Sequence, residues 1–173
     1  MKAQEVKLPT VEKQLDTIIV DLENALLSPA ILFGASGIMG SFNYKDKQIL
    51  DAIDARIVIL VSDQSYVELA RSVAEFIGAE PIFTNSKLGA VKEKLNIDVK
   101  SAFYMGGNYD SIPLLQEVGY GVAPADAEPP IVEATQKIVT NKRAGEGALG
   151  EAIRDCIKYG FLKIKSHGEK SNG

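Results

Sequence analysis

The chain is poor in the residues that build most metal and redox centres. Among its 173 residues stand one cysteine, Cys156, one histidine, His167, and no tryptophan. A lone cysteine excludes an internal disulfide, and a lone histidine excludes any multi-histidine metal site. No apolar run approaches the ~20 residues that a membrane-spanning helix needs, so no membrane partner is expected. The opening stretch MKAQEVKLPTVEKQ has no apolar h-region, so no secretory signal is expected there either. Positive charge is also scarce. Lys plus Arg number 19 against 23 Asp plus Glu, a formal net charge of −4, which offers nothing to drive counterion release from a nucleic acid. The expectation is a cytoplasmic protein whose chemistry rests on carboxylates, hydroxyls and lysines.

What is present suits one globular domain over 1–173, with apolar residues at 46% and charged residues at 24%. The core is expected over about 16–160, with a flexible tail over 163–173. Short apolar runs recur: Thr17–Val20, Arg56–Val61, Pro81–Thr84, Ala102–Met105, Tyr120–Ala123 and, more weakly, Lys137–Val139. Runs that are uniformly apolar mark strands buried on both faces, the habit of parallel sheets. Helical patterns separate them at Lys47–Ala55, Ser65–Ile77, Lys87–Leu95, Ile112–Val118, Ile131–Gln136 and Gly147–Tyr159. The order predicts an α/β fold, a three-layer sandwich around a central parallel sheet. One segment departs from it. Residues 30–42 place two apolar arms around Gly34-Ala35-Ser36-Gly37, which predicts a protruding β-hairpin.

Ligands of open α/β sheets bind at the carboxyl ends of the strands. The residues falling there are Asp21 with Glu23, Ser62 with Asp63 and Ser65, Lys87, and the turn Gly106-Gly107-Asn108-Tyr109-Asp110-Ser111. An acid, a hydroxyl, a lysine and a glycine-rich acidic turn are equipment for handling a phosphate. Ser65 stands three residues before Glu68, in capping-box spacing, which makes it a helix cap. Asp110 is either a second acid of the site or the cap of the helix that starts near Ser111. Cys156 lies among Ala152, Ile153 and Ile157 and reads as core; His167, in a polar tail, is assigned no role.

This order of parts resembles the haloacid dehalogenase superfamily of aspartate-nucleophile phosphatases, and within it the small capless 3-deoxy-manno-octulosonate 8-phosphate phosphatase group. The resemblance runs from about Asp16 to Ile157. Asp21-Leu22-Glu23-Asn24-Ala25-Leu26-Leu27 stands where that family has D-x-D-G-x-L-T, and Phe42-Asn43-Tyr44-Lys45-Asp46-Lys47 where it has F-N-x-x-D-G. Val61-Ser62-Asp63-Gln64-Ser65 matches the second motif, and Lys87-Leu88 the lysine motif. Tyr104–Leu115 takes the place of Y-x-G-D-D-x-x-D-x-P-x-x. The stretch Val118–Ala127 closely matches V-G-x-x-V-A-x-A-D-A, and Arg143–Glu151 resembles a G-G-x-G-A-x-x-E end.

The resemblance implies roles. Asp21 would be the nucleophile and Glu23 the general acid/base, while Ser62 and Lys87 would hold the phosphoryl group. Mg²⁺ would sit on Asp21, the Glu23 carbonyl and a patched position at Asn108 or Asp110. A phosphorylated sugar would be the substrate, no cap domain would be present, and the hairpin would build a homotetramer. The departures weigh against turnover. The acid/base Asp has become Glu23, one methylene longer, a displacement that can cost on the order of 10²-fold. The motif glycine has become Asn24, its closing hydroxyl residue Leu27, and its three late acids Gly107, Asn108 and Ser111. Mg²⁺ needs hard, charged oxygens, and Asp21 is the one clear supplier. The expectation is a phosphatase homologue with impaired or lost catalysis; the alternative is an active, divergent Mg-dependent sugar-phosphate phosphatase. On this reading, restoring the acids at Glu23, Gly107 and Asn108 should raise metal affinity.

Overall fold

The apolar runs become the strands of one parallel sheet. The computed structural model describes residues 9–28, 32–34, 37–39, 41–135 and 138–166. Strands β1 (Thr17–Asp21), β4 (Arg56–Val61), β5 (Glu80–Phe83), β6 (Ala102–Met105) and β7 (Tyr120–Val122) pair in the order β5-β4-β1-β6-β7, with β1 at the centre. Every residue of β1 and β6 is buried, as uniform apolarity requires. The edge strand β5, which opens on Glu80, is only partly covered, whereas the opposite edge, β7, is fully buried. The expected sixth strand shrinks to a single parallel bridge between Ala123 and Val139, and Lys137 lies outside the described residues.

The hairpin has its two arms as β2 (Leu32–Gly34) and β3 (Gly37–Met39), antiparallel, pairing Leu32 with Met39 and Gly34 with Gly37. The two strands form a separate sheet. Residues 29–31, 35–36 and 40 are outside the described set, as are His167 and the tail beyond 166.

Helices cover both faces. On one side α1 (Tyr44–Ala52), α2 (Val67–Ile77) and α6 (Ala148–Lys158) pack with Ile18, Val20, Ile59, Val61, Phe103 and Met105. On the other, α3 (Lys87–Gly89, continuing through a wider turn at Ala90–Lys94), α4 (Ile112–Leu115) and α5 (Pro129–Ala134) pack with Ile19, Val58, Leu60 and Tyr104. The alternation along each strand sends even and odd residues to opposite layers. Helix α2 buries Ala70, Ala74 and Ile77, one stripe at helical spacing, and stops at Gly78 in the left-handed conformation. Ser65 is not its cap. Tyr66 precedes α2 without a side-chain cap, and Asp63 caps the short turn Gln64–Tyr66 ahead of it: its Oδ1 accepts from the Ser65 amide (2.8 Å) and from the Ser65 hydroxyl (2.7 Å).

Helix α6 carries Cys156 into the core and has no side-chain cap of its own. The carboxylate of Asp46, on α1, reaches across instead and accepts from the Gly150 amide at 2.9 Å. A Cβ on Gly150 would stand 2.6 Å from that oxygen, so the α1–α6 contact depends on glycine. No helix among the described residues is long and apolar enough to cross a membrane.

Candidate active site

From β1 the chain moves outward through β4 and β5, then returns to place β6 on the other side of β1. The loops leaving β1 and β6 therefore diverge and open a crevice between them at the carboxyl edge. Register decides what points into it. Ile19 pairs with Tyr104 and Val20 with Met105, so Tyr104 shares a sheet face with Ile19 and Asp21. Lys87 starts α3 on that same face and is 3% exposed.

Four side chains meet there. Asp21, fully buried, accepts from Tyr104 OH (2.8 Å) on Oδ1, and from Lys87 Nζ (2.8 Å) and Ser111 Oγ (2.5 Å) on Oδ2. Lys87 also donates to Asp110 Oδ1 (2.7 Å) and Ser111 Oγ (3.2 Å), which uses all three of its protons. Ser62 Oγ donates to Asp110 Oδ2 at 2.6 Å. Asp110 is thus a member of the site and not a helix cap; Asn108 stands at the start of the Tyr109–Ser111 turn. The hydroxyl of Tyr104 was hidden in an apolar run. Counting the β1–β6 register and noting that its parity matches Asp21 would have exposed it.

Electrostatics follow from burial. Loss of solvent pushes the Asp21 carboxyl above its ordinary range, against the pull of Lys87, Ser111 and Tyr104. Burial alone would lower the Lys87 ammonium, but Asp21 and Asp110 outweigh it and hold Lys87 above its usual value. For Asp110, half-burial acts upward and is overcome by the hydrogen bonds from Lys87 and Ser62, so it sits below the usual carboxylate range. Glu23 is raised by burial first, then by the charges of Asp21 and Asp63. Burial beside Asp21 sets the Tyr104 phenol well above its ordinary value.

The loop after β1 breaks helical geometry at Glu23 (ψ 140°) and at Asn24 (φ 56°, ψ 21°), a left-handed conformation that asparagine tolerates. This turn drives the Asn24 carbonyl against Gly107, where a Cβ would stand 1.8 Å from the oxygen. Asn24 Nδ2 donates to Asn108 Oδ1 (2.6 Å), and Asn108 Nδ2 donates to the Glu23 carbonyl (3.3 Å). The Asn108 amide donates to Ser111 Oγ at 3.3 Å. Outside this knot lies an open cavity of about 430 Å³, lined by Glu23, Ser62, Asp63, Tyr66, Asn108, Tyr109 and Asp110.

These donors do not fit a magnesium ion, which needs about six oxygens in octahedral array. Both Asp21 oxygens accept hydrogen bonds, Asp110 is held by Lys87 and Ser62, and Asn108 aims an N–H at the Glu23 carbonyl. Gly107 cannot carry an acid while Asn24 stays in place. Restoring Gly107 to aspartate, as the motif suggests, would therefore displace the loop and not refill a cavity. Among the described residues no group of three or more His, Cys, Asp and Glu is arranged to hold a metal.

No family model matches the sequence, and no curated protein matches it. Solved structures do. A protein from Streptomyces avermitilis, assigned to the haloacid dehalogenase hydrolases, is 25% identical, with 83% of this chain and 85% of that one covered at a TM-score of 0.71. The 3-deoxy-D-manno-octulosonate 8-phosphate phosphatase of Moraxella catarrhalis, in complex with magnesium, phosphate and the sugar, is 20% identical over 84% of this chain and 87% of its own, TM-score 0.74. A cobalt-bound phosphatase of the same name from Haemophilus influenzae is 20% identical, covers 84% and 88%, and has a TM-score of 0.71. The chain thus has the fold of the haloacid dehalogenase hydrolases, with no cap among its described residues.

Proposed function

We propose that this chain is a phosphatase homologue of haloacid dehalogenase fold whose catalysis is impaired or lost. The observation that carries the reading is the condition of Asp21. A nucleophilic carboxylate must aim one oxygen at phosphorus, yet both oxygens of Asp21 are engaged by internal donors and none of the residue is exposed. The cavity mouth adds a second obstacle. Glu23, Asp63 and Asp110 line it, and the ammonium of Lys87 is already shared between two carboxylates. A phosphate dianion entering there meets net negative charge.

The alternative is an active sugar-phosphate phosphatase, with Asp21 as nucleophile, Glu23 as acid/base, and Ser62 and Lys87 on the phosphoryl group. It is favoured by the gathering of these residues at one edge and by the phosphorylated sugar named for the Moraxella neighbour's activity. A panel of sugar phosphates assayed in millimolar magnesium separates the two. The expected result is background phosphate release from both the natural chain and Asp21→Asn. Release that Asp21→Asn abolishes would establish the alternative.

The remaining role is assembly. The hairpin strands β2 and β3 pair only with each other among the described residues, and a lone two-stranded sheet is marginal in water. We assign the hairpin to self-association into a homotetramer. Light scattering should report a tetramer, and Phe33→Lys should dissociate it while the central sheet stays folded; a monomeric natural chain would refute the assignment.

A further inference from the structure

We infer that the chain carries its own substitute for a divalent cation: the Asn108 side-chain amide, beside the Lys87 bridge, holds together the β1 and β6 loops that a metal would otherwise tie. This rests on the reading of a silent site, but makes a separate claim, that the loops need no metal to hold them.

The β1 loop and the β6 loop each present acceptors to the other. The β1 side offers the Asp21 carboxylate and the Glu23 carbonyl; the β6 side offers Asp110. Acceptors facing acceptors repel unless positive groups lie between them. Two donors of the protein lie between them. Lys87 Nζ bridges Asp21 (2.8 Å) and Asp110 (2.7 Å), and Asn108 Nδ2 meets the Glu23 carbonyl (3.3 Å). The orientation of the Asn108 amide follows from its partners. The Glu23 carbonyl can only accept, and Asn24 Nδ2 (2.6 Å) can only donate, so nitrogen faces the first and oxygen the second. Ser111 completes the link, accepting from the Asn108 backbone N–H and donating to Asp21.

The replacements are therefore coupled. Gly107 leaves room for the Asn24 carbonyl, and Asn24, left-handed, turns its side chain to Asn108. Asn108 turns to Glu23, and Ser111 is small enough to lie within hydrogen-bond reach of both Asn108 and Asp21. Four positions that read separately as lost acids or a lost glycine form one hydrogen-bonded plug.

The test uses the full chain. Its melting temperature should be the same in excess EDTA and in millimolar MgCl₂, and magnesium titration should give no binding isotherm. Asn108→Asp keeps the volume but sets a carboxylate oxygen against the Glu23 carbonyl. This variant should melt lower than the natural chain in EDTA and recover part of the loss in MgCl₂. Gly107→Ala should melt lower in both buffers alike, since its Cβ meets the Asn24 carbonyl. A natural chain stabilised by magnesium, an Asn108→Asp protein indifferent to the buffer, or a Gly107→Ala protein of unchanged melting temperature would each overturn the inference. Phosphate release measured on the same samples keeps the two readings apart. A magnesium response without turnover overturns the plug and leaves the silent site standing. Turnover without a magnesium response does the reverse.

Discussion

Among the described residues two aspartates are buried, and they are buried differently. Asp21, at the carboxyl edge of the sheet, takes hydrogen bonds on both oxygens and has a lysine beside it. Asp46, between α1 and α6, takes one hydrogen bond on Oδ1, from the Gly150 amide, while Oδ2 has no partner. Burial pushes both carboxyls upward, but only around Asp21 is there a network able to keep the charge. For Asp46 the compensation is weaker: one amide at the first turn of α6, with Arg154 and Lys142 contributing at longer range. The comparison separates an anion built into the fold from one that the fold merely tolerates. The aspartate that the motif nominates as nucleophile belongs to the first kind.

Breaking the first region should do the most damage. Lys87→Met removes the cation shared by Asp21 and Asp110, and uncovering one partner of a buried pair costs about 3–5 kcal/mol, to be read from urea denaturation at neutral pH. Tyr104→Phe takes a single donor from Oδ1 and leaves that oxygen unsatisfied, so the expected loss is smaller, about 1–3 kcal/mol. Equal losses for the two variants would mean that Lys87 acts as an ordinary hydrogen-bond donor and not as the charge of the site.

The second region should respond in the other direction. Asp46→Asn keeps an acceptor for the Gly150 amide and removes the buried charge. The folded pKa of Asp46 lies above its unfolded value, so the folded state holds the extra proton between the two. Its contribution to stability is therefore best at low pH and declines as pH rises through the folded value. Asp46→Asn should gain on the natural chain as pH rises from the ordinary carboxylate range through the raised folded value, read from urea denaturation over that range. A gap between the two proteins that is constant with pH would show that burial does not raise the Asp46 carboxyl at all.

The fold was legible because β1, β4 and β6 are apolar on both faces, and the helices between them carry their stripes at helical spacing. The hairpin was legible from its glycines. Elements at the sheet's margin were read less well: β5 is partly exposed, and the expected sixth strand is one bridge, because pairing at an edge depends on neighbours that a local pattern does not contain. At the site, Asp21, Lys87, Ser62 and Asp110 could be gathered from strand ends alone. Tyr104 could not, since its phenol sits in a run that reads as core. Nor could the closeness of Asn24 to Gly107. Residues more than eighty positions apart approach to the point where no side chain fits, and only the left-handed turn at Asn24 brings them there.

The central claim is that Asp21 is an internal anion and not a nucleophile. It is tested most directly by rapid acid quench of the chain mixed with a radiolabelled phosphomonoester in millimolar magnesium, followed by mapping of the peptide that contains Asp21. An engaged, unexposed carboxylate should carry no label at any time point. A label on Asp21 that hydroxylamine releases, the signature of an acyl phosphate, would contradict the claim.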